Sequence, residues 1–117
     1  RRAGIAQTGA MPPLDAAAFG LSGEDASWVQ RRQRAHPGSL YEDALQFDEG
    51  LLSRFPRTYV DCNTPALASV ALAKQRARNE PGWNVVTLAT GHDPMISAPT
   101  QLLAILESVA KSVAAAQ

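Results

Sequence analysis

The sequence has few of the residues on which disulfide frameworks and metal sites depend. Its 117 residues contain one cysteine, Cys62, and two histidines, His36 and His92. A single cysteine excludes an internal disulfide and a cysteine-based zinc site, and burial as a small apolar residue is its ordinary interpretation. Because the two histidines are far apart and show no ligand spacing, we expect no metal and no other cofactor.

An excess of charge is also absent. Lys and Arg number 11 and Asp and Glu number 11, so the formal net charge is zero. Without a global electric field, the chain is not expected to bind nucleic acid or an anionic membrane. No run approaches the roughly 18 apolar residues of a membrane span, and no signal-peptide pattern is present. We therefore expect no membrane partner and a cytoplasmic location.

The sequence lacks an initiating methionine, because it begins Arg1-Arg2-Ala3-Gly4. This start leads us to expect either a trimmed chain or a product of cleavage inside a longer one. The length suits one domain with a modest core. An apolar content of 45% is ordinary for a globular protein.

The first half of the chain shows little periodicity. Several glycines and the stretch Met11-Pro12-Pro13 predict irregular structure up to about residue 20. Ser22 offers an N-cap for a short helix over residues 23–34 that ends before a His-Pro pair. Apolar side chains are scattered through residues 37–56, which favours short turns and loops.

The second half has an α/β pattern. Residues 58–62 and 84–89 have the composition of strands, and the second run is mostly apolar, which is typical of a parallel strand covered on both faces. Helices are predicted over residues 66–79 and 100–114, the latter from an apolar stripe at helical spacing. The order strand–helix–strand–helix implies a right-handed parallel crossover.

Two parallel strands make an incomplete sheet. Two strands do not form a stable sheet with helices covering both faces, and the N-terminal half offers no convincing further strand. The simplest resolution is that the missing strands belong to another polypeptide or to a removed part of this one. A homodimer would have to supply a large obligate interface.

The position of His92 in the predicted fold suits a residue that takes part in chemistry. Ligands of an open α/β sheet bind at the carboxyl ends of the strands, and His92 closely follows the strand that ends at Ala89. Gly91 permits a tight turn and a close backbone approach, while Pro94 and Pro99 stiffen the loop. A rigid loop with one imidazole suits a general base, although a lone histidine after a strand is more often an ordinary loop residue.

A resemblance to a known fold adds to this interpretation. It is carried by Pro56-Arg57-Thr58-Tyr59-Val60-Asp61-Cys62, Trp83-Asn84-Val85-Val86-Thr87-Leu88 and Gly91-His92-Asp93-Pro94-Met95. These stretches resemble the end of the α/β-hydrolase fold, and more narrowly the small esterases that include methyl-salicylate-type esterases, hydroxynitrile lyases and their bacterial relatives. Phe19-Gly20-Leu21 and Trp28-Val29 resemble the end of their helical cap. The resemblance implies a mostly irregular or helical cap over residues 1–55 and the C-terminal part of the hydrolase sheet over residues 56–117.

The resemblance implies a Ser-His-acid mechanism in which His92 is the general base. The nucleophile elbow Gly-x-Ser-x-Gly is absent, and in this fold the serine precedes the acid and the histidine along the chain. The nucleophile and the oxyanion hole are therefore expected on an N-terminal partner chain, in a heterodimer made by a split or proteolytically processed protein. The expected reaction is hydrolysis of a small carboxylic ester. Met95 would line the substrate pocket, with core packing as the alternative.

The acid of the triad has several open candidates. The turn Cys62-Asn63-Thr64-Pro65 lacks the carboxylate that the family places there, which leaves Asp61, an acid on the partner chain, or a catalytic dyad. The missing acid also leaves open a non-enzymatic α/β interaction module or an inactive hydrolase relative. A carbon–carbon lyase of the hydroxynitrile type is disfavoured, because Asp93 stands where such lyases carry a lysine.

Overall fold

The computed structural model describes residues 2–116, without the side chains at positions 2–4 and 49. Arg1, the first residue of the expected cap segment, and Gln117, the last residue of the expected hydrolase-sheet segment, lie outside the described residues. The element order is α1 (Arg2–Thr8), β1 (Ala10–Met11), α2 (Gly23–Arg32), β2 (His36–Pro37), α3 (Glu49–Leu52), β3 (Arg57–Cys62), α4 (Ala71–Asn79), β4 (Trp83–Leu88), α5 (Pro94–Ser97) and α6 (Pro99–Ala115). Three 3₁₀ turns lie at Ala16–Phe19, Gly38–Tyr41 and Ala68–Val70. Among the described helices, none combines the length and apolarity that crossing a membrane requires.

Strands β3 and β4 form a two-stranded parallel sheet. The register runs from Arg57 opposite Trp83 to Cys62 opposite Leu88, so both strands end at the same edge. Because side chains alternate along a strand, Tyr59 and the other odd-numbered positions of β3 face α4, while Thr58 faces α6. The order strand–helix–strand–helix predicted for this half is confirmed, and the fold is of mixed α/β type.

Helix α4 begins five residues later than the sequence predicts. The preceding segment contains an isolated antiparallel bridge between Asn63 and Ala66. The Thr64 amide also donates a hydrogen bond to the Thr90 carbonyl oxygen (2.9 Å). These contacts with the loop after β4 hold the backbone in a turn, and the helix starts only after the 3₁₀ turn. The last helix is confirmed, and the extra helix α5 occupies part of the predicted loop before it.

The first half contains more regular structure than expected. The prediction of irregular structure up to about residue 20 is wrong for α1, whereas α2 lies within the predicted range. Strands β1 and β2 pair Ala10 with Pro37 and Met11 with His36. The core of this half is a small cluster of Ala16, Leu21 and Val29.

The chain exposes more surface than its mass leads one to expect. Its accessible surface is 8638 Å², whereas a folded monomer of 12.5 kDa exposes about 6,200 Å². No large side chain in the described part of the chain is fully buried. On α6, Leu103 and Leu106 are each more than half exposed. The helices on the two faces of the sheet therefore leave a large part of their apolar surface uncovered.

Candidate active site

His92 lies four residues beyond the end of β4, at the carboxyl edge of the sheet. Its backbone amide donates a hydrogen bond to the Phe19 carbonyl oxygen (2.9 Å). Its imidazole stacks on the Phe19 ring, with 6.0 Å between ring centroids and 29° between the planes. The first half of the chain therefore holds the histidine both by its backbone and by its ring.

Two glycines allow the chain segments around His92 to meet. A Cβ atom on Gly91 would overlap the Phe19 carbonyl oxygen. A Cβ atom on Gly20 would lie 2.6 Å from Cδ of Pro65 and 3.0 Å from Cα of Gly91. Gly20 also has a φ of 81°, in the left-handed region that favours glycine. The close backbone approach expected at Gly91 is confirmed, and it is made to the backbone of Phe19 and Gly20.

The base of the loop is fixed by a second set of hydrogen bonds. Thr90 is buried, and its hydroxyl lies 2.6 Å from the hydroxyl of Ser97. The Asp93 carbonyl oxygen accepts hydrogen bonds from the amides of Ile96 and Ser97 at 3.0 and 3.1 Å. Ser97 thus ties α5 back to the end of β4. The position of His92 is determined from both ends of its loop.

His92 opens onto a cleft of about 620 Å³. The cleft is lined by Met11, Pro12, Pro13, Leu14, Phe19, Arg32, Gln33, Arg34, His36, Tyr41, Leu67, Ser69, Val70 and His92. Most of this lining comes from the first half of the chain. Ser69 shares the cleft, but no hydrogen bond joins it to His92 within residues 2–116. The residues around Ser69 do not form the Gly-x-Ser-x-Gly pattern of a nucleophile elbow.

The His92 imidazole makes no hydrogen bond to a side chain in the described part of the chain. Its ring contact is the stacking on Phe19. A triad base needs one ring nitrogen for the nucleophile and the other for an orienting group. The geometry leaves both ring nitrogens of His92 open for such partners.

Asp61, the candidate acid within this chain, forms ion pairs with two residues of α4. Its side chain is 2% exposed and lies 2.9 Å from Lys74 Nζ and 2.6 Å from Arg78 Nη2. Burial raises the pKa of the Asp61 carboxyl, but hydrogen bonds and charge from Arg78 and Lys74 outweigh it, so the pKa lies below its ordinary value. The carboxylate therefore holds α4 against β3, and it makes no hydrogen bond to His92.

Met95 lies outside the cleft that contains His92. It lines a separate groove with Glu24, Asp25, Trp28 and Ile96, and it is 56% exposed. Core packing, the alternative expected for Met95, is therefore wrong. Contact with a substrate stays a prediction, and the shape of the cleft gives it no support.

Sequence reasoning missed the contribution of Phe19, His36 and Tyr41 to the cleft. The Tyr41 hydroxyl lies 3.1 Å from Nδ1 of His36. His36 reaches the cleft because β2 pairs with β1 across more than twenty residues of chain, and no local pattern indicates that pairing. The sequence did contain one signal for Phe19: a glycine directly follows it and another directly precedes His92, and glycines permit the close approach that these two segments make.

Comparison with known proteins gives one distant similarity. No family model and no solved structure matches the chain. Among curated proteins, the chain is 28% identical over 94 residues to a carbendazim-hydrolyzing esterase of Nocardioides sp. (strain SG-4G). The matched residues make up 80% of this chain, and the chain spans 39% of the length of that esterase.

The contact at Gly20 yields a stability prediction. Gly20→Ala is expected to cost about 1 to 2 kcal/mol for the left-handed backbone and a further ~1 to 3 kcal/mol for the overlap with Pro65 and Gly91. Gly23→Ala is the matched control, because Gly23 has a φ of 59° but no atom within 4 Å of an added Cβ. Urea denaturation followed by tryptophan fluorescence measures both. Equal losses in the two variants would show that the contact at Gly20 contributes nothing.

The ion pairs of Asp61 yield a pH-dependent prediction. At pH 7, Asp61→Asn is expected to lower the free energy of unfolding by about 1 to 2 kcal/mol, since Lys74 and Arg78 keep part of their hydration. Because the folded-state pKa is lowered, this contribution is present above the unfolded pKa of about 3.9 and is lost as the pH falls through the folded value. The difference between wild type and variant should therefore shrink below about pH 4.

Denaturation midpoints at pH 7, 5 and 3 test this expectation. Glu80→Gln is the control, because Glu80 pairs with Arg76 at the surface and such pairs contribute little. A difference between wild type and Asp61→Asn that is the same at pH 7 and pH 3 would contradict the role given to the ion pairs.

Proposed function

We propose that this chain supplies the general-base histidine, His92, of an ester hydrolase whose serine nucleophile and oxyanion hole lie on a second polypeptide. The observation that carries the proposal is the placement of His92. It stands at the carboxyl edge of a parallel sheet, on a loop held at both ends, and it opens onto a cleft. The similarity to the carbendazim-hydrolyzing esterase supports ester hydrolysis as the reaction type.

The proposed mechanism uses His92 twice. A serine hydroxyl of the partner attacks the ester carbonyl, and His92 takes the serine proton and gives it to the leaving alcohol. A water molecule then attacks the acyl-serine, and His92 takes a proton from the water and returns it to the serine. Backbone N–H groups of the partner would stabilise the oxyanion at each tetrahedral stage. The stacking on Phe19 orients the ring without occupying either nitrogen.

Three features support a second polypeptide. The sequence contains no Gly-x-Ser-x-Gly. The sheet has two strands, both with a free edge in the described part of the chain. The exposed surface exceeds the expectation for a folded monomer by roughly 2,400 Å², which is of the order that a large obligate interface buries. We place the triad acid on the same partner, because Asp61 is held by Lys74 and Arg78.

A non-enzymatic interaction module is the second candidate. The observation in its favour is that no described side chain forms a hydrogen bond with the His92 imidazole. The two experiments below separate the candidates, since an interaction module requires neither a serine on its partner nor an imidazole at position 92.

The first experiment is intact mass spectrometry of the protein purified from its natural source. Under non-denaturing conditions we expect a stoichiometric complex, and under denaturing conditions a second polypeptide whose sequence contains Gly-x-Ser-x-Gly. A 12.5 kDa species alone, or an oligomer of that chain alone, would remove the serine from the mechanism and overturn the proposal.

The second experiment is the substitution His92→Ala in the assembled protein. Loss of the base is expected to lower kcat for p-nitrophenyl acetate by about 10⁴- to 10⁶-fold. The loop should keep its place, because the hydrogen bond to Phe19 comes from the backbone amide. Asp93→Asn is the control, since it changes the next side chain but keeps the carbonyl oxygen that accepts from α5, and it should retain nearly the wild-type rate. Activity of His92→Ala close to that of wild type would show that His92 is not the base.

A further inference from the structure

We propose that His36 and Tyr41 form a recognition subsite for a hydrogen-bond-accepting group on the part of the substrate that does not react. The inference rests on the proposed function, because the pair shares its cleft with His92. The Tyr41 hydroxyl lies 3.1 Å from His36 Nδ1. The ring centroids are 6.2 Å apart, with the planes tilted by 35°. The two rings thus form a linked pair that lines the cleft.

The backbone holds the pair in place. His36 pairs with Met11 across β1 and β2, and the Gly38 amide donates a hydrogen bond to the Gly9 carbonyl oxygen (2.8 Å). Gly38 is buried, and a Cβ atom there would overlap the side chain of Ile5. Tyr41 ends the 3₁₀ turn that follows, and its side chain is 50% exposed. The pair is therefore fixed by its backbone while its polar atoms stay accessible from the cleft.

The pair can donate a hydrogen bond to a ligand in either tautomer. If the Tyr41 hydroxyl donates to Nδ1, the imidazole proton is on Nε2 and can be donated to a ligand, and the Tyr41 oxygen can still accept. If Nδ1 donates to the Tyr41 oxygen, the hydroxyl proton is left to donate, and Nε2 can accept. One donor remains in both tautomers, and the charge of the surrounding residues decides between an acceptor and a donor ligand. The cleft lining includes Arg32 and Arg34 and no Asp or Glu among the described residues, which favours an electron-rich group such as a ketone or carboxylate oxygen.

The rest of the lining defines the body of the substrate. Besides these polar residues, the cleft is lined by the apolar side chains of Met11, Pro12, Pro13, Leu14, Phe19, Leu67 and Val70. Apolar and aromatic walls with a few placed polar groups are typical of small-molecule sites. The substrate class that fits is an ester with an apolar body and one acceptor group remote from the scissile bond.

The test compares matched esters that differ in the acceptor. On the alcohol side they are 4-acetylphenyl acetate and 4-isopropylphenyl acetate, and on the acyl side the p-nitrophenyl esters of 4-oxopentanoic and 4-methylpentanoic acid. In the assembled protein, Tyr41→Phe should lower kcat/KM for the acceptor-bearing ester of one pair by about three- to tenfold relative to its partner ester, chiefly through KM. Differences in intrinsic reactivity cancel, because each ratio is compared with the wild-type ratio.

Tyr59→Phe is the control, because it removes a hydroxyl that lies outside this cleft. It should leave both ratios unchanged. Equal effects of Tyr41→Phe on the two esters in both pairs would overturn the subsite. Absence of hydrolysis in the wild type would instead count against the proposed function, so the two failures are distinguishable.

A binding measurement tests the subsite without catalysis. The protein labelled with ¹⁵N in its histidine rings is titrated with 4-hydroxyacetophenone and, separately, with 4-isopropylphenol. The His36 ring signals should shift with the ketone and much less with the isopropyl compound, and the difference should disappear in Tyr41→Phe. Equal shifts of His36 with both compounds, or none with either, would overturn the assignment.

Discussion

The contact between the Gly20 and Gly91 backbones is the constraint on which the rest of the site depends. It brings the end of a 3₁₀ turn in the first half of the chain against the loop that follows β4. Once the two backbones touch, the Phe19 carbonyl oxygen is within reach of the His92 amide and the two rings can stack. Phe19 and His92, which come from distant segments of the chain, therefore line the same cleft.

The sheet below the site is held in a different way. On its α4 face the packing of Tyr59 against Trp83 is only partly buried, and an ion-paired carboxylate, Asp61, is the buried side chain of β3 there. Lys74 and Arg78 are four residues apart, so they lie on one face of α4 and can reach Asp61 together. A buried carboxylate with two half-exposed cations keeps its charges hydrated on one side, which lowers the desolvation cost of burying it. Such an ion pair can hold a helix against a sheet even where apolar side chains are incompletely buried.

The sequence predicts the parts of this structure that depend on local patterns. The strands predicted over residues 58–62 and 84–89 and the helix predicted over residues 100–114 follow from β-branched composition and from an apolar stripe, and the structure has each within one residue of these bounds. The late start of α4 depends on the bond from Thr64 to Thr90, and the cleft position of His36 depends on its pairing with Met11. Both contacts join distant segments, and no local pattern encodes them. For the same reason the sequence left the role of Asp61 open, because that role depends on ion pairs with Lys74 and Arg78 of the next helix.

The hydrogen bond from the His92 amide to Phe19 has a consequence for how such a protein changes over generations. Any residue other than proline offers the same amide, so the loop keeps its course whatever side chain stands at position 92. Selection on folding acts on the glycines and on the backbone, whereas selection on the proposed chemistry would act on the imidazole. The two can therefore be lost or kept independently. Under the proposed function, a descendant that exchanged this histidine would keep the architecture and lose the base.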